Sequence, residues 1–483
     1  MFTDLRGFIK VLEDNGQLRR INKSVSTELE ITEILDRLVK SNGPAVMFEN
    51  VKGFDQPVIG NLFGSHTRMA LALGVENVSD ISLKVKDILQ LVQSPPESWM
   101  DKIKALTDLF TLSRSQPKSV KTAPCHEVIK IGDEVDLNQI PALKCWPGDA
   151  GKFITFPLVI SRDPITGNRN VGTYRMQIYD ECTTGMHWQT HKGGAQHDRV
   201  AQENNQTKIE VAAVLGADPV TMWSGSLPLP PFMDELMVSG VIGGKGIDLV
   251  KCKTIDLEVP ANAEIVLEGY VSPGELRTEG PFGDHTGYYS EAAMYPVFHI
   301  TAITSRKDAI YPAIVVGRPP SEDYFMGFAG VRLMFPALQM ILPEIVDIHM
   351  PAEGIFHNLI VVAIKKEYPG QAKKVMYGLW GLNLLMLTKA IVVVDETVDI
   401  YNSSELLWRV TSNIDPIRDI TILEGPLDDL DHSARARKYG SKVGIDATSK
   451  THLDGNERGW PEDIVMDDIT KSNVDRMWKS YGF

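Results

Sequence analysis

The densest run of reactive side chains is Thr278-Glu279-Gly280-Pro281-Phe282-Gly283-Asp284-His285-Thr286-Gly287-Tyr288. Two carboxylates bracket a Gly-Pro-Phe-Gly turn whose backbone is tight enough to aim Glu279 and Asp284 into one cavity. Paired carboxylates in an apolar site push their pKa values apart and leave one able to hold a proton near neutrality. The plainer reading is a solvated loop with incidental acids; Phe282, Tyr288 and Tyr289 argue against full exposure. A second cluster, Asn170-Val171-Gly172-Thr173-Tyr174-Arg175, sets an arginine on a strand beside a glycine that admits close approach. That suits an anion or a flat ring, although for this cluster taken alone a half-buried strand with Arg175 in a salt bridge is the favoured reading. Asn170 and Arg175 differ by five, so on a regular strand they face opposite sides. They serve one ligand by touching its two ends, or through a bulge at Gly172.

Further polar groups cluster at Met186–Gly194, where His187, His191, Lys192 and Gly-exposed amides suit a phosphate or a metal–phosphate pair. The i, i+4 spacing of His187 and His191 is that of a zinc protease, but Trp188 stands where the Glu base belongs, so that reading is rejected. The run Pro228–Glu235 delivers Asp234 and Glu235 to a helix expected over Glu235–Ile242. Helix capping accounts for acids there; a hard divalent ion held by Asn, His and Glu is the sharper alternative. Gly243-Gly244-Lys245-Gly246 reads as a turn before a phosphate cradle. No GxSxG elbow, GxxxxGK[ST] loop or helix-opening GxGxxG occurs.

The elements that must position these groups fall into segments. Stripes at Leu5, Phe8, Ile9, Leu12 and at Leu29, Ile31, Ile34, Leu35, Leu38 predict amphipathic helices, and Ala45–Phe48 predicts a buried strand. Pro95-Pro96 and the polar stretch Ser113–Pro124 suggest a boundary. Strand signals follow: Phe153–Ile160, a turn at 163–168 and Asn170–Tyr179 form one expected hairpin, and Val297–Thr304 with Ala309–Val316 another. His197–Gln206 reads as helical. Beyond Gly317–Pro320 the pattern alternates: helix Arg332–Ile341, strand Leu359–Ile364, helix Gln371–Leu387, strand Ala390–Val394. Val474, Met477, Trp478 and Tyr481 predict a terminal helix docked on a neighbour.

Composition bounds the rest. With 483 residues, 43% apolar and 23% charged, the chain can bury a large core. Its 49 basic against 63 acidic residues give a net charge of −14, so nucleic acid is excluded as a default partner. Cys125, Cys145, Cys182 and Cys252 form no CxxC pair, which fits reduced thiols in a cytoplasmic protein. The most apolar stretches, 379–387 and 390–394, fall well short of the roughly 20 residues of a membrane span, and the N-terminus lacks a signal-peptide core.

Taken together, NVGTYRMQ at 170–177, HWQTHKGG at 187–194, Val214–Pro219, the run 250–270 and EGPFGDHTGYY at 279–289 resemble the UbiD family of prenylated-FMN-dependent decarboxylases. The likeness continues through Gly317–Pro320, Val410–Asp419 and Gly440–Thr448, in order and over nearly the whole chain. It implies a multidomain α+β fold. An N-terminal α/β domain covers 1–115, a flavin-binding split β-barrel 116–318, a C-terminal α/β oligomerisation domain 319–455 and a helical tail 456–483. It places the family's catalytic trio on Arg175, Glu279 and Asp284, with Asp284 where some members have Glu. Flavin contacts fall on Thr173, Tyr174, Arg175, His187, Trp188, Gln189, Lys192 and Gly193, and manganese ligands on Asn170, His191 and Glu235. The implied reaction is non-oxidative decarboxylation of an aromatic, hydroxybenzoate-type acid, polyprenylated or not, in ubiquinone biosynthesis or aromatic acid metabolism. Prenylated FMN, supplied by a flavin prenyltransferase, is the implied cofactor, with Mn2+ and optionally K+. Asp284, protonated, would return a proton to carbon.

A homo-oligomer, dimer or hexamer, is expected, cytoplasmic and at most peripheral to the inner membrane. Other acids and the carboxylating direction stay open. So do a flavin-independent metal hydrolase, with Asn170, His191 and Glu235 activating water, and a non-catalytic subunit.

Overall fold

The structure is a computed structural model and describes residues 2–86, 113–189, 192–229 and 233–483. The expected boundary at Pro95-Pro96 lies outside them. Both N-terminal stripes form helices. Leu5–Asp14 buries Leu5, Phe8, Ile9 and Leu12, and its N-cap Asp4 accepts from the Gly7 amide. Glu30–Lys40 buries Ile31, Leu35 and Val39. Ala45–Phe48 is buried at every position, as a strand covered on both faces must be. It sits between Leu18–Ile21 and Val58–Gly60 in a four-stranded sheet.

The fourth strand of that sheet is Tyr311–Pro312, which pairs in parallel with Val58 and Ile59. This overturns the expected second hairpin. The chain leaves Ala293–Ser305, turns, and crosses into the N-terminal sheet instead of folding back. Ion pairs flank the crossing: Arg306 reaches Asp4 at 3.1 Å, and Arg6 reaches Asp308 at 2.7 Å and Glu264 at 2.9 Å. Neighbour-in-sequence strands are the usual pairing, but here the strand, with Tyr311 fully buried, pairs with one far away in the chain.

The central unit is an antiparallel sheet in the spatial order Thr183–Gly185, Ala293–Ser305, Ile265–Glu279, Ile209–Leu215, Leu158–Arg162, Arg169–Thr173, with Val128–Ile131 also on Ala293–Ser305. The first hairpin forms as expected, closed by Asp163, whose carboxylate accepts from the amides of Ile165 and Thr166. Its strands are interrupted, however. Phe153–Ile154 pairs with Met176–Gln177 as a separate short ladder, leaving Tyr174 and Arg175 in the break. The helix expected at 197–206 runs over Gly193–Glu203. Asp218 in the Val214–Pro219 motif is a helix cap, accepting from Val220 and Thr221 amides. Gly244 caps the helix Glu235–Gly243 at φ 73°, so the glycine cluster there is a turn.

The C-terminal unit opens with the helix Glu322–Ile341. That helix has the length and hydropathy of a membrane span, yet it buries Glu322 and Arg332, and Arg332 pairs with Asp347 at 2.6 Å. Its sheet runs Ile345–His349, Leu359–Ile364, Ala390–Asp395, Tyr439–Asp446, Ile420–Pro426. The inner three strands are parallel and the edges antiparallel. The helix expected over Gln371–Leu387 stops at Trp380, and Asn383–Leu387 tightens into a 3-10 turn after Gly381. The tail helix Asp468–Met477 forms, with Met477, Trp478 and Tyr481 turned outward.

Candidate active site

The break in the first hairpin is what frees Arg175. Gly172 does admit a flat ring, but it is the protein's own: a Cβ at Gly172 would stand 2.5 Å from the Tyr174 ring and hydroxyl. With Tyr174 folded back on the strand, Arg175 projects from the gap to the other side. No bulge is present at Gly172, and the strand ends at Thr173, so Asn170 and Arg175 occupy different ends of the site.

Glu279 is the last residue of the long strand Ile265–Glu279. The chain then turns and returns as Phe282–Gly283, paired with Tyr289–Ser290. Asp149 pins this loop by accepting from the Gly283 amide at 2.7 Å and the Trp146 amide at 2.8 Å. Glu279 and Asp284 thereby converge on one guanidinium. Arg175 Nε donates to Glu279 Oε1 at 3.0 Å, Nη1 to Asp284 Oδ2, and Nη2 to Ser290 Oγ at 3.1 Å. The guanidinium also lies over the Phe282 ring, 4.7 Å from its centroid. Glu279 is 1% exposed and Asp284 6%, which rules out the solvated-loop reading. Tyr288 and Tyr289, by contrast, are the exposed part of the loop.

His187 completes the cluster. Its Nδ1 lies 2.8 Å from Glu279 Oε1, and its ring packs on Tyr295. Burial and the Arg175 charge lower its pKa against the pull of Glu279, so the imidazole is neutral and donates from Nδ1. Burial pushes the Glu279 carboxyl up, but His187 and Arg175 reverse this and leave it below its ordinary value. The same contest leaves Asp284 well below the carboxylate range, because Arg175 and His285 outweigh burial. Arg175 in turn stays above its ordinary value: burial lowers it, and the two carboxylates more than restore it.

Against the expectation of a protonated Asp284, these contacts favour its ionised form, and the neighbouring group that favours its charged form despite burial is His285. Asp284 Oδ1 accepts from the His285 amide at 2.8 Å and from His285 Nδ1 at 2.9 Å. Burial opposes an imidazolium, yet Asp284 raises His285 to about 9. His357, from the C-terminal unit, meets His285 Nε2 to Nε2 at 2.8 Å. Neither His357 nor Asp149 carried a signal in the sequence: each is a single residue far from its partners.

The opposite end gathers the other expected residues. Lys192 caps the helix Gly193–Glu203, and burial lowers its pKa, with no carboxylate in ion-pair contact among the described residues. A Cβ on Gly193 would stand 1.9 Å from Asn170 Oδ1, and one on Gly194 2.3 Å from Trp188 Nε1, so both side chains pack on this helix N-terminus. Glu235 Oε2 accepts from the Val171 amide at 3.1 Å, and burial pushes Glu235 up to about 7. Asn170 and Glu235 are thus close together; His191 lies outside the described residues, and no cluster of three or more His, Cys, Asp or Glu exists among those described. Gln189 is half-buried in the same segment.

Buried polar atoms normally have partners. Here Thr173 Oγ1, His187 Nε2, Trp188 Nε1 and Glu279 Oε2 have none among the described residues. A half-buried cation at a helix N-terminus, Lys192, also matches an anionic group. These are the marks of a site built for a ligand with a phosphate tail and a polar ring, and the residues fit a flavin nucleotide. A cleft of about 920 Å³ lies elsewhere, lined by Arg6, Glu13, Arg20, Arg306 and Asp308. Those charges pair with one another or with neighbours, so it needs no ligand.

The class of protein with this fold is the carboxy-lyases. Models of the 3-octaprenyl-4-hydroxybenzoate carboxy-lyase N-terminal, Rift-related and C-terminal domains match residues 9–86, 118–319 and 324–447, and the chain belongs to the UbiD family. An uncharacterized protein of Archaeoglobus fulgidus is 51% identical over 478 residues, 99% of this chain and 98% of that one. The closed form of vanillic acid decarboxylase from Sedimentibacter hydroxybenzoicus is 28% identical, with TM-score 0.85 over 100% and 99% of the two chains. An evolved dimeric form of the UbiD-class enzyme HmfF from Pelotomaculum thermopropionicum, in complex with prFMN, is 28% identical, with TM-score 0.79 over 97% and 98%.

Proposed function

We propose that this protein removes CO2 non-oxidatively from an aromatic acid of hydroxybenzoate type, with prenylated FMN as cofactor and Mn2+ at the phosphate end. The observation that carries this is the buried Arg175 held by Glu279 and Asp284, next to orphaned polar atoms that a flavin would satisfy. Loss of CO2 from an aryl carbon leaves an in-plane electron pair that no protein side chain can delocalise, and the bound prenylated flavin supplies that sink. The chain does the rest. Lys192, Gly193 and Trp188 hold the phosphate end, with Asn170, His191 and Glu235 as the cation's ligands and K+ as an optional second ion. Thr173, Tyr174, His187 and Gln189 border the ring. Arg175 draws in the substrate carboxylate and orients it in a site of low dielectric. Glu279 and His187 fix the guanidinium plane. Asp284 returns a proton to the carbon that loses CO2.

The same groups serve heteroaromatic or α,β-unsaturated acids and the carboxylating direction at high CO2. A polyprenyl tail would add peripheral contact with the inner membrane, and a place in ubiquinone biosynthesis. We place the enzyme in the cytoplasm as a homo-oligomer, its flavin supplied by a prenyltransferase. The domain division 1–115, 116–318, 319–455 and 456–483 is part of this proposal. The test is CO2 release by protein co-produced with a flavin prenyltransferase, over a panel of hydroxybenzoates, prenylated hydroxybenzoates and heteroaromatic acids. Release from hydroxybenzoates supports the reading, and release from none of the panel contradicts it.

A further inference from the structure

Behind Asp284 stands a second pair of titratable groups that the mechanism above does not use. Asp284 Oδ1 takes two hydrogen bonds from His285 alone, from its amide and its Nδ1. His285 Nε2 meets His357 Nε2 at 2.8 Å, so one ring must donate there. An imidazolium at His285 satisfies both contacts at once: Nδ1–H to the carboxylate and Nε2–H to the lone pair of a neutral His357. The two rings come from different units, and Phe356 packs on His285 with centroids 5.5 Å apart.

The charges around the pair favour that assignment. Asp284, Asp323 at the start of the helix Glu322–Ile341, and Asp428 beyond the strand Ile420–Pro426 all favour the charged His285. Burial and the His285 charge lower His357 to about 4; Lys192 adds to this, while Asp428 and Asp284 oppose it. One ring is therefore charged and the other neutral, in contact.

We propose that His285 is the proton store behind Asp284, clamped in position by His357 from the C-terminal unit. The inference rests on the decarboxylase reading. In each turnover the carbon–carboxyl bond breaks, and its electron pair ends in the carbon–hydrogen bond that forms at the same carbon. Asp284 supplies that proton, His285 Nδ1 returns one to Asp284, and water recharges His285. One proton is consumed for each CO2 released. The store resolves a conflict in the site: Arg175 keeps Asp284 ionised, which is wrong for an acid, unless a proton is held within one hydrogen bond of it. His285 acts through Asp284 and is a positioning and proton-supplying residue.

The test uses full-length protein co-produced with a flavin prenyltransferase and labelled with [13Cε1]histidine. A histidine resonance that vanishes in His285→Gln should titrate near 9, move down in Asp284→Asn, and shift in His357→Gln. On a hydroxybenzoate that the wild type decarboxylates, kcat should hold up to that pH and fall above it. His285→Gln should lower kcat at neutral pH at least 10-fold and erase the alkaline limb, with flavin content unchanged. Titration of that resonance at or below 6.5 overturns the proposal. So does wild-type kcat and pH dependence in His285→Gln. If the wild type releases no CO2 from any acid, the functional reading fails, and the imidazole titration still decides whether His285 holds the proton.

Discussion

Arg175 Nε and Glu279 Oε1 stand 3.0 Å apart, and that same oxygen lies 2.8 Å from His187 Nδ1. One carboxylate oxygen thus fixes both a guanidinium and an imidazole, while its twin, Oε2, is without a partner among the described residues. A side chain used on one oxygen and free on the other is oriented by the protein and open to a ligand. Breaking a buried pair by removing one partner costs about 3–5 kcal/mol. Glu279→Ala should therefore destabilise the protein by about that amount, read from chemical denaturation, and Glu279→Gln by less. A loss below about 1 kcal/mol for Glu279→Ala would mean that the network does not hold the loop.

Asp284→Asn keeps the size of the side chain and removes its acid function. The variant should load flavin as the wild type does and decarboxylate at least ~100-fold more slowly, the scale of a lost general acid. The flavin spectrum and CO2 release measured on one preparation check both halves. Near-normal turnover would remove Asp284 from the chemistry.

Stability should peak in a pH window set by this same loop. Glu279 and Asp284 are depressed below 4.5 and 3.8, so their contribution is present above those values and is lost as pH falls below them. His285 is raised from 6.5 to about 9, so its contribution is complete below 6.5 and is lost as pH rises through 9. The alkaline loss amounts to about 2–4 kcal/mol for a shift of this size. Thermal midpoints across pH should show it in the wild type and not in Asp284→Asn.

Much of this was readable in advance. The stripes at Leu5–Leu12 and Ile31–Leu35, the strands at 359–364 and 390–394, and the cluster 279–289 follow from local periodicity and turn chemistry, which one stretch of chain carries by itself. The pairing of Tyr311–Pro312 with Val58–Ile59 does not, because its two partners lie far apart in the chain and no local pattern joins them. Gly172 shows a subtler limit. Its smallness was legible, but whether it admits a ligand's ring or Tyr174 depends on where the strand stops. The ionisation of Asp284 is not legible for a related reason: apolar neighbours are visible in the sequence, but the position of Arg175 and His285 against the carboxylate is not.

At the phosphate end, Lys192→Met removes a half-buried cation with no acidic partner in contact among the described residues, so it should stabilise the flavin-free protein slightly while reducing flavin retained on purification at least ~10-fold. Gly193→Ala should act through Asn170, whose side-chain oxygen occupies the place of the new methyl group. It should lower bound manganese, measured by elemental analysis. Full retention of both flavin and metal in these variants would place the phosphate elsewhere.

The most direct test of the central claim compares one preparation in two states. Protein co-produced with a flavin prenyltransferase should release CO2 from a hydroxybenzoate with an absorbing flavin bound. The same protein stripped of flavin should release none, and readdition of the prenylated cofactor should restore the activity. Undiminished decarboxylation by the stripped protein would contradict the account.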